Sequence, residues 1–342
     1  MCKKYALILV FIILFNSMGL DRSLKHVSAA SSWVDLSSHV VSTRGTPNYS
    51  SIVFIGEEGW IGSGNFPEIY HTRDGGATFE VQTLPTEINA LAMRSLTEGY
   101  AGGQNGRIYH TTDGGASWQS LGTTGNPVRG LSCPPSGAAC YSVGDHGSAN
   151  LITGAGLTLL NTGLVSNLRS VHFPINSDEG WLCGGVIIRH FTGGAWQADQ
   201  TYATNGYNAI GFADGVNGWV VGDTGIIIHT VTGGKYDGNP GNGWIGQSNP
   251  AQGITLNDIS VISANEAWAV GDSGTVLRTT NSGQTWALEA SGMTTSLLTA
   301  VHAEDSNIVY VVGNNGTLLK YSDAPVGYDH WIYLPIVVKA RP

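Results

Sequence analysis

Seven times along this chain an aromatic residue opens a short run that leads into a glycine- or asparagine-containing turn: Trp60, Tyr100, Tyr141, Trp181, Trp219, Trp268 and Tyr310. Successive spacings are 40, 41, 40, 38, 49 and 42 residues. A unit this short cannot bury a core alone, and a period of about 40 residues is that of one four-stranded propeller blade. The two odd spacings fall in turns. Lys235 to Asn242, KYDGNPGN, is an insertion after Gly233-Gly234, and Cys183-Gly184-Gly185-Val186 replaces a longer turn of the kind seen at Val270 to Gly274.

One copy, Gly99 to Trp118, shows the local logic. Tyr100 to Gly102 is followed by the tight turn Gln104-Asn105-Gly106, and Arg107 to Thr111 alternates polar with apolar as a half-buried strand does. Asp113-Gly114-Gly115 makes a second turn before Ser117-Trp118 resumes an extended segment. With 48 glycines among 342 residues, long helices are not expected. The expected fold is therefore all-β, a seven-bladed β-propeller of four-stranded blades over residues 31–325. The last copy runs out of its turn at Ala324-Pro325, whereas Ser31 to Leu36 (SSWVDL) matches Ala116 to Leu121 (ASWQSL), an outermost strand. The N-terminal strand is thus expected to close the ring and cover the open edge of the last blade. Trp331 to Val338 is the rival closing strand.

Residues 1–30 carry Lys3-Lys4, an apolar run from Tyr5 to Phe15 and Val27-Ser28-Ala29-Ala30, the layout of a secretory signal peptide. Export is expected, to an extracellular, periplasmic or cell-surface location; an uncleaved membrane anchor is the alternative. Without those residues 12 Lys+Arg face 24 Asp+Glu, a charge of −12, which disfavours nucleic acid and anionic membrane surfaces as partners. Cys133 and Cys140 flank Pro134 to Gly137 and are candidates for a disulfide across a hairpin, while Cys183 reads as a small buried hydrophobe. No Cys/His spacing suggests a metal site. Residues 326–342 form a tail, and its YLPIV resembles short tails on exported proteins of some bacteria.

The turn pattern [ST]-x-D-x-G-x-[ST]-[WF], intact at Thr72 to Phe79 and Thr111 to Trp118 and nearly so at Thr279 to Trp286, is the Asp box, or bacterial neuraminidase repeat. Its chemistry is consumed in the turn, so these Asp residues are expected to be structural. The longer pattern at Trp219 to Gly234 and Trp268 to Trp286 resembles that of the photosystem II assembly and stability factor family. The resemblance implies a seven-bladed propeller that binds a protein partner. Just before the first Thr of the box stand His71, His110, Arg189, His229, Arg278 and Lys320, with Leu151 in the third copy. In that family the place is commonly Arg, and an arginine-rich patch is associated with partner binding. These six are candidate partner-binding residues; the alternative is that each lies over an aromatic or a turn of the neighbouring blade.

Sialidases share the Asp box but need an arginine cluster, for which this chain has few arginines; two-domain xyloglucanases need a second propeller. Asp178, Glu179, Asp214 and Asp258 are scattered over turns, and no nucleophile elbow, phosphate loop or H-E-x-x-H helix is present. The expectation is a monomeric, non-catalytic, cofactor-free propeller with a protein partner. The alternative is a carbohydrate-binding or glycoside hydrolase propeller, with Trp244 as the first candidate for stacking on sugar. A third is a surface protein without a specific ligand.

Overall fold

Second strands such as Gly99–Gly103 and Ala267–Gly271 are buried at every position, whereas the outermost strand Glu80–Thr83 is mostly exposed. That gradient follows from composition in these blades: Gly99–Gly103 and Ala267–Gly271 are built from Gly, Ala, Val and one aromatic, whereas Glu80–Thr83 is mostly polar. A second strand lies between two neighbouring blades, so its small residues set how closely they approach. At Gly102 a Cβ would come within 2.4 Å of Val128 in the next blade.

The computed structural model describes residues 32–134, 139–174, 179–198, 205–235 and 243–323. Seven four-stranded antiparallel sheets are formed, and the first strand of each neighbours the first strand of the next until the last meets the first. Blades 1 to 6 span residues 49–83, 88–123, 128–159, 170–198, 207–246 and 256–289. Blade 7 combines residues 298–322 with the strand Ser32–Asp35, which pairs antiparallel with Leu319 to Ser322. The closing strand is therefore the N-terminal one, and the slot proposed for Trp331 to Val338 is filled; that segment, residues 1–30 and the remaining tail lie outside the described residues, as does Asp178.

Aromatic stacking ties blade to blade. The second-strand aromatic of one blade lies on a Phe in or just after the first strand of the next: Tyr141 on Phe173 at 3.7 Å, Trp181 on Phe212 at 3.8 Å, and, across the closure, Tyr310 on Phe54 at 3.6 Å. Trp60 instead donates from Nε1 to the Gly114 carbonyl in the Asp box of blade 2, 2.9 Å. Asp113 itself accepts from Thr111 Oγ1 (2.8 Å), Ser117 N (2.9 Å) and Ser117 Oγ (2.6 Å), which holds its carboxyl at about 2. Gly115, at φ +90°, supplies the left-handed residue the turn requires. Cys133 and Cys140 are disulfide-bonded across the first hairpin of blade 3.

Each blade thus has two ends. The box end carries the first hairpin turn and the Asp box. The opposite turn end carries the link from second to third strand, such as Asp223–Gly225 and Asp272–Gly274.

Candidate functional site

Strand register explains where the basic residues lie. Across the second and third strands His71 faces Trp60, His110 faces Tyr100, His229 faces Trp219, Arg278 faces Trp268 and Lys320 faces Tyr310. Each lies over its aromatic: imidazole-to-ring distances are 4.8, 4.5 and 4.2 Å for His71, His110 and His229, and the Arg278 and Lys320 charges sit 4.7 and 5.1 Å from the ring centroids. In blade 4 the residue facing Trp181 is His190, stacked at 4.6 Å, and not Arg189, which faces Leu182. The shortened turn of that blade puts Phe191 in the place of the box Thr, so the position before it belongs to His190. In blade 3 Leu151 faces Tyr141.

These stacks are not an open cationic surface. His71, His190 and His229 are buried, and His110, Arg278 and Lys320 are half-buried. A third residue completes most of them, and it was missed in the sequence although it was visible there: a Glu two positions before the aromatic, as in EEGW, TEGY, DEGW and NEAW. Alternation along the strand places it on the aromatic's face. Glu58 meets His71 at 2.8 Å, Glu98 meets His110 at 3.4 Å, Glu179 meets His190 at 3.3 Å and Glu266 binds Arg278 at 2.7 Å. In blade 5 Asn217 takes this place, Nε2 of His229 is buried with no hydrogen-bond partner among the described residues, and burial pushes the imidazole down to about 4. Lys320 instead donates to the Gly75 carbonyl of blade 1 at 3.3 Å.

Trp244 is not an exposed sugar platform. It is 3% exposed and packs edge-on against Phe212 at 5.7 Å, filling the outer layer of blade 5 just after the insertion. Asp214 accepts the backbone N–H groups of Val216 and Asn217 and is a turn cap. Cys183 is buried, and burial pushes its thiol up. Among the described residues no group of three or more His, Cys, Asp or Glu could hold a metal ion.

The central channel, about 460 Å³, is lined by the first strands of all seven blades. The second residue of most of these strands is a bulge at the turn end, where the register shifts: Ser50, Asn89, Arg129, Asn208, Asn257 and Thr299. Five of them bond the first strand of the next blade. Asn89 donates to Val128 O (2.9 Å), Asn208 to Leu256 O (2.9 Å), Asn257 to Leu298 O (2.8 Å), Thr299 to Tyr49 O (2.7 Å), and Ser50 to Ile88 O. Blades 3 and 4 break the pattern with Arg129 and Arg169. Arg129 is held by Asp145 in a two-pronged pair at 3.0 and 2.8 Å. Arg169 is exposed, and among the described residues its side chain makes no hydrogen bond or ion pair.

Deeper in the channel, Asp258 accepts from Val301 N and Ile259 N, both at 2.9 Å, and burial raises its carboxyl to about 7. Its proton is bound more tightly in the folded than in the unfolded chain. The associated stability is full below the ordinary carboxylate value of 3.8 and is lost as pH rises through about 7. Asp258→Asn should therefore raise Tm by a few degrees at pH 8 and by much less at pH 5, measured by thermal denaturation at both. An equal change at the two values would remove the carboxylate from the account.

Residues 241–322 match the family model described as photosynthesis system II assembly factor YCF48. The stretch holds the fourth strand of blade 5 together with blades 6 and 7 except for the N-terminal strand, and so takes in the long repeat pattern at Trp268 to Trp286. A structure of YCF48 bound to D1 peptide superposes with a TM-score of 0.67 at 21% identity, covering 85% of this chain and 94% of that one. YCF48 from Cyanidioschyzon merolae gives 0.67 at 17%, covering 85% and 98%. The WD40 repeats of RRP9 give 0.69 at 10% identity, covering 86% and 98%, so the superpositions establish the propeller and the profile carries the family resemblance. No curated protein sequence matches the chain. The resemblance read from the repeats, to photosystem II assembly factor-like propellers, is borne out.

Proposed function

We propose that this chain is an exported, non-catalytic propeller that binds a segment of a partner protein, as photosystem II assembly factors do, and that the segment docks at the turn-end mouth of the channel. The observation that carries the reading is the pair Arg129 and Arg169, which replaces two neutral members of an otherwise bonded ring. In a chain with a net charge of −9, a guanidinium that among the described residues makes no direct ion pair, although Asp145 is near enough to feel its charge, is suited to a carboxylate at the channel mouth. Arg129, fixed by Asp145 through Nε and Nη2 and donating from Nη1 to Gln104 Oε1 at 3.3 Å, adds positive charge beside it. The stacked residues, His71, His110, His229, Arg278 and Lys320, have their cationic or imidazole groups engaged inside the blades and contribute less to such a face. Glycosidase chemistry would require two carboxylates, and the described channel lining has one, Asp258.

The D1 peptide is the probe with which to begin, since YCF48 has been seen with it. Fluorescence titration of wild type, Arg129→Glu/Arg169→Glu and Arg278→Glu/Lys320→Glu separates the two sites. Binding lost by at least tenfold only in the first variant supports the channel mouth. Loss confined to the second would return the site to the stacks, and no binding by the wild type would remove this peptide as ligand.

A further inference from the structure

Blade 3 closes its first hairpin differently from its neighbours. In blades 2, 5, 6 and 7 a Ser or Asp caps the same turn, with Ser95, Asp214, Ser263 and Asp305 each accepting backbone N–H bonds from residues two and three positions on. Blade 3 has the Cys133–Cys140 disulfide instead. Strand pairing runs up to it, through Gly130–Val143, Leu131–Ser142 and Ser132–Tyr141, so the sheet is held by its own ladder.

The two sulfurs have unlike surroundings. Cys140 is fully buried, whereas Cys133 is half-buried and lines the channel near its box end. Arg94 of blade 2 reaches Cys140: Nη2 lies 3.2 Å from its Sγ, Nη1 binds Glu98 at 3.1 Å, and Nε is buried with no hydrogen-bond partner among the described residues. A disulfide sulfur is a weak acceptor, and it becomes a strong one only as a thiolate. The guanidinium is therefore placed to hold a leaving group.

We propose that Cys133–Cys140 is a thiol-exchange site that takes a dithiol reductant by way of the channel. One thiolate of the reductant attacks Cys133 Sγ. A mixed disulfide forms, the Cys133–Cys140 bond breaks, and its electron pair leaves on Cys140 Sγ, facing Arg94. The second reductant thiol, deprotonated, attacks its partner sulfur in the mixed disulfide and releases Cys133, which takes a proton. The reductant departs as a disulfide and the protein has gained two electrons. A lower leaving-group pKa speeds such a step.

The test is the rate of reduction by dithiothreitol under native conditions, followed by alkylation and mass spectrometry. The wild-type rate should rise in proportion to dithiol concentration. Arg94→Met should slow it about 3- to 10-fold, the span expected when a leaving thiol loses a charge-assisted bond, and Arg94→Lys should recover most of the loss. With a monothiol and rapid alkylation, the adduct should map to Cys133 and the alkyl group to Cys140. Equal rates in all three proteins, a rate independent of dithiol concentration because reduction waits on global unfolding, or an adduct on Cys140 would each overturn the proposal.

Discussion

Deleting residues 32–36 should abolish cooperative folding of the ring. Those residues supply the only strand of blade 7 that no hairpin connects to its neighbour, Ser32 to Asp35 opposite Ser322 to Leu319. Trp33 lies between Trp268 and Tyr321, at 5.9 and 5.4 Å, so the strand also covers the outer side of blade 6. Just beyond it Leu36, 8% exposed, packs with Tyr49, Tyr70 and Tyr310, and His39 Nδ1 meets Gly76 O at 3.0 Å in the Asp box of blade 1. Removing the segment exposes the edge Leu318–Ser322 and loosens the joint between the last blade and the first. Urea denaturation should show a broad transition of low midpoint. The milder Trp33→Ala, truncating a half-buried aromatic, should cost about 2–3 kcal/mol. A synthetic peptide of residues 31–40 in excess should shift the deletion variant's midpoint upward, since strand addition to an open edge is mass action. A deletion variant with the wild-type midpoint would mean that the ring is held shut elsewhere.

In an Asp258→Asn background, where the opposing gain from that carboxyl over the same window is absent, acidification from pH 7 to pH 5 should destabilise the protein through its stacked histidines, and His229 should dominate. Burial lowers the pKa of His71, His190 and His229 below 6.5. A depressed imidazole pKa means that the unfolded chain binds the proton more tightly. The stability is therefore complete above 6.5 and is lost as pH falls toward the folded value, about 4 for His229. Arithmetic on that interval gives at most about 2 kcal/mol at pH 5 from His229, less whatever solvent at the ring edge returns. His71 and His190 face Glu58 and Glu179, which offset part of the burial; among the described residues His229 has no such partner. Asp214→Ser/Asn217→Glu copies the Ser263–Glu266 arrangement of blade 6 and should shrink the pH 7 to 5 loss, whereas His229→Phe should remove the His229 share. If the loss is the same in all three proteins, carboxylates elsewhere govern acid sensitivity.

The blade count, the closing strand and the structural role of Asp113 were legible because each rests on a pattern repeated in phase. Misreadings arose where a pattern was counted across a changed turn. Counting back from the glycines puts Arg189, a candidate partner-binding residue, at the place before the box in blade 4 because the box there has lost a position, and only the pairing of Trp181 with His190 restores the count. Trp244 looked like a loop aromatic because it follows an insertion, yet a fourth strand resumes at Ile245–Gly246 and buries it. The glutamates of the stacks were in view and went unread, since a Glu before Gly-Trp has meaning only once the third strand is laid beside the second. The channel-mouth ring left no local mark at all. Ser50, Asn89, Arg129, Asn208, Asn257 and Thr299 share no residue type, and what unites them is a bulge created by pairing.

The closing strand has a bearing on the order of events during synthesis. Its residues leave the ribosome before any blade exists, and Leu319 to Ser322, their partners, leave after every other strand of the ring. Six blades can form from hairpins as they emerge, by contacts close in sequence, but the seventh must wait for the longest-range pairing in the molecule. Until then Trp33 and the open edge of the last blade are exposed together in one nascent chain, which makes that interval the period of greatest risk for aggregation or for pairing with a second copy.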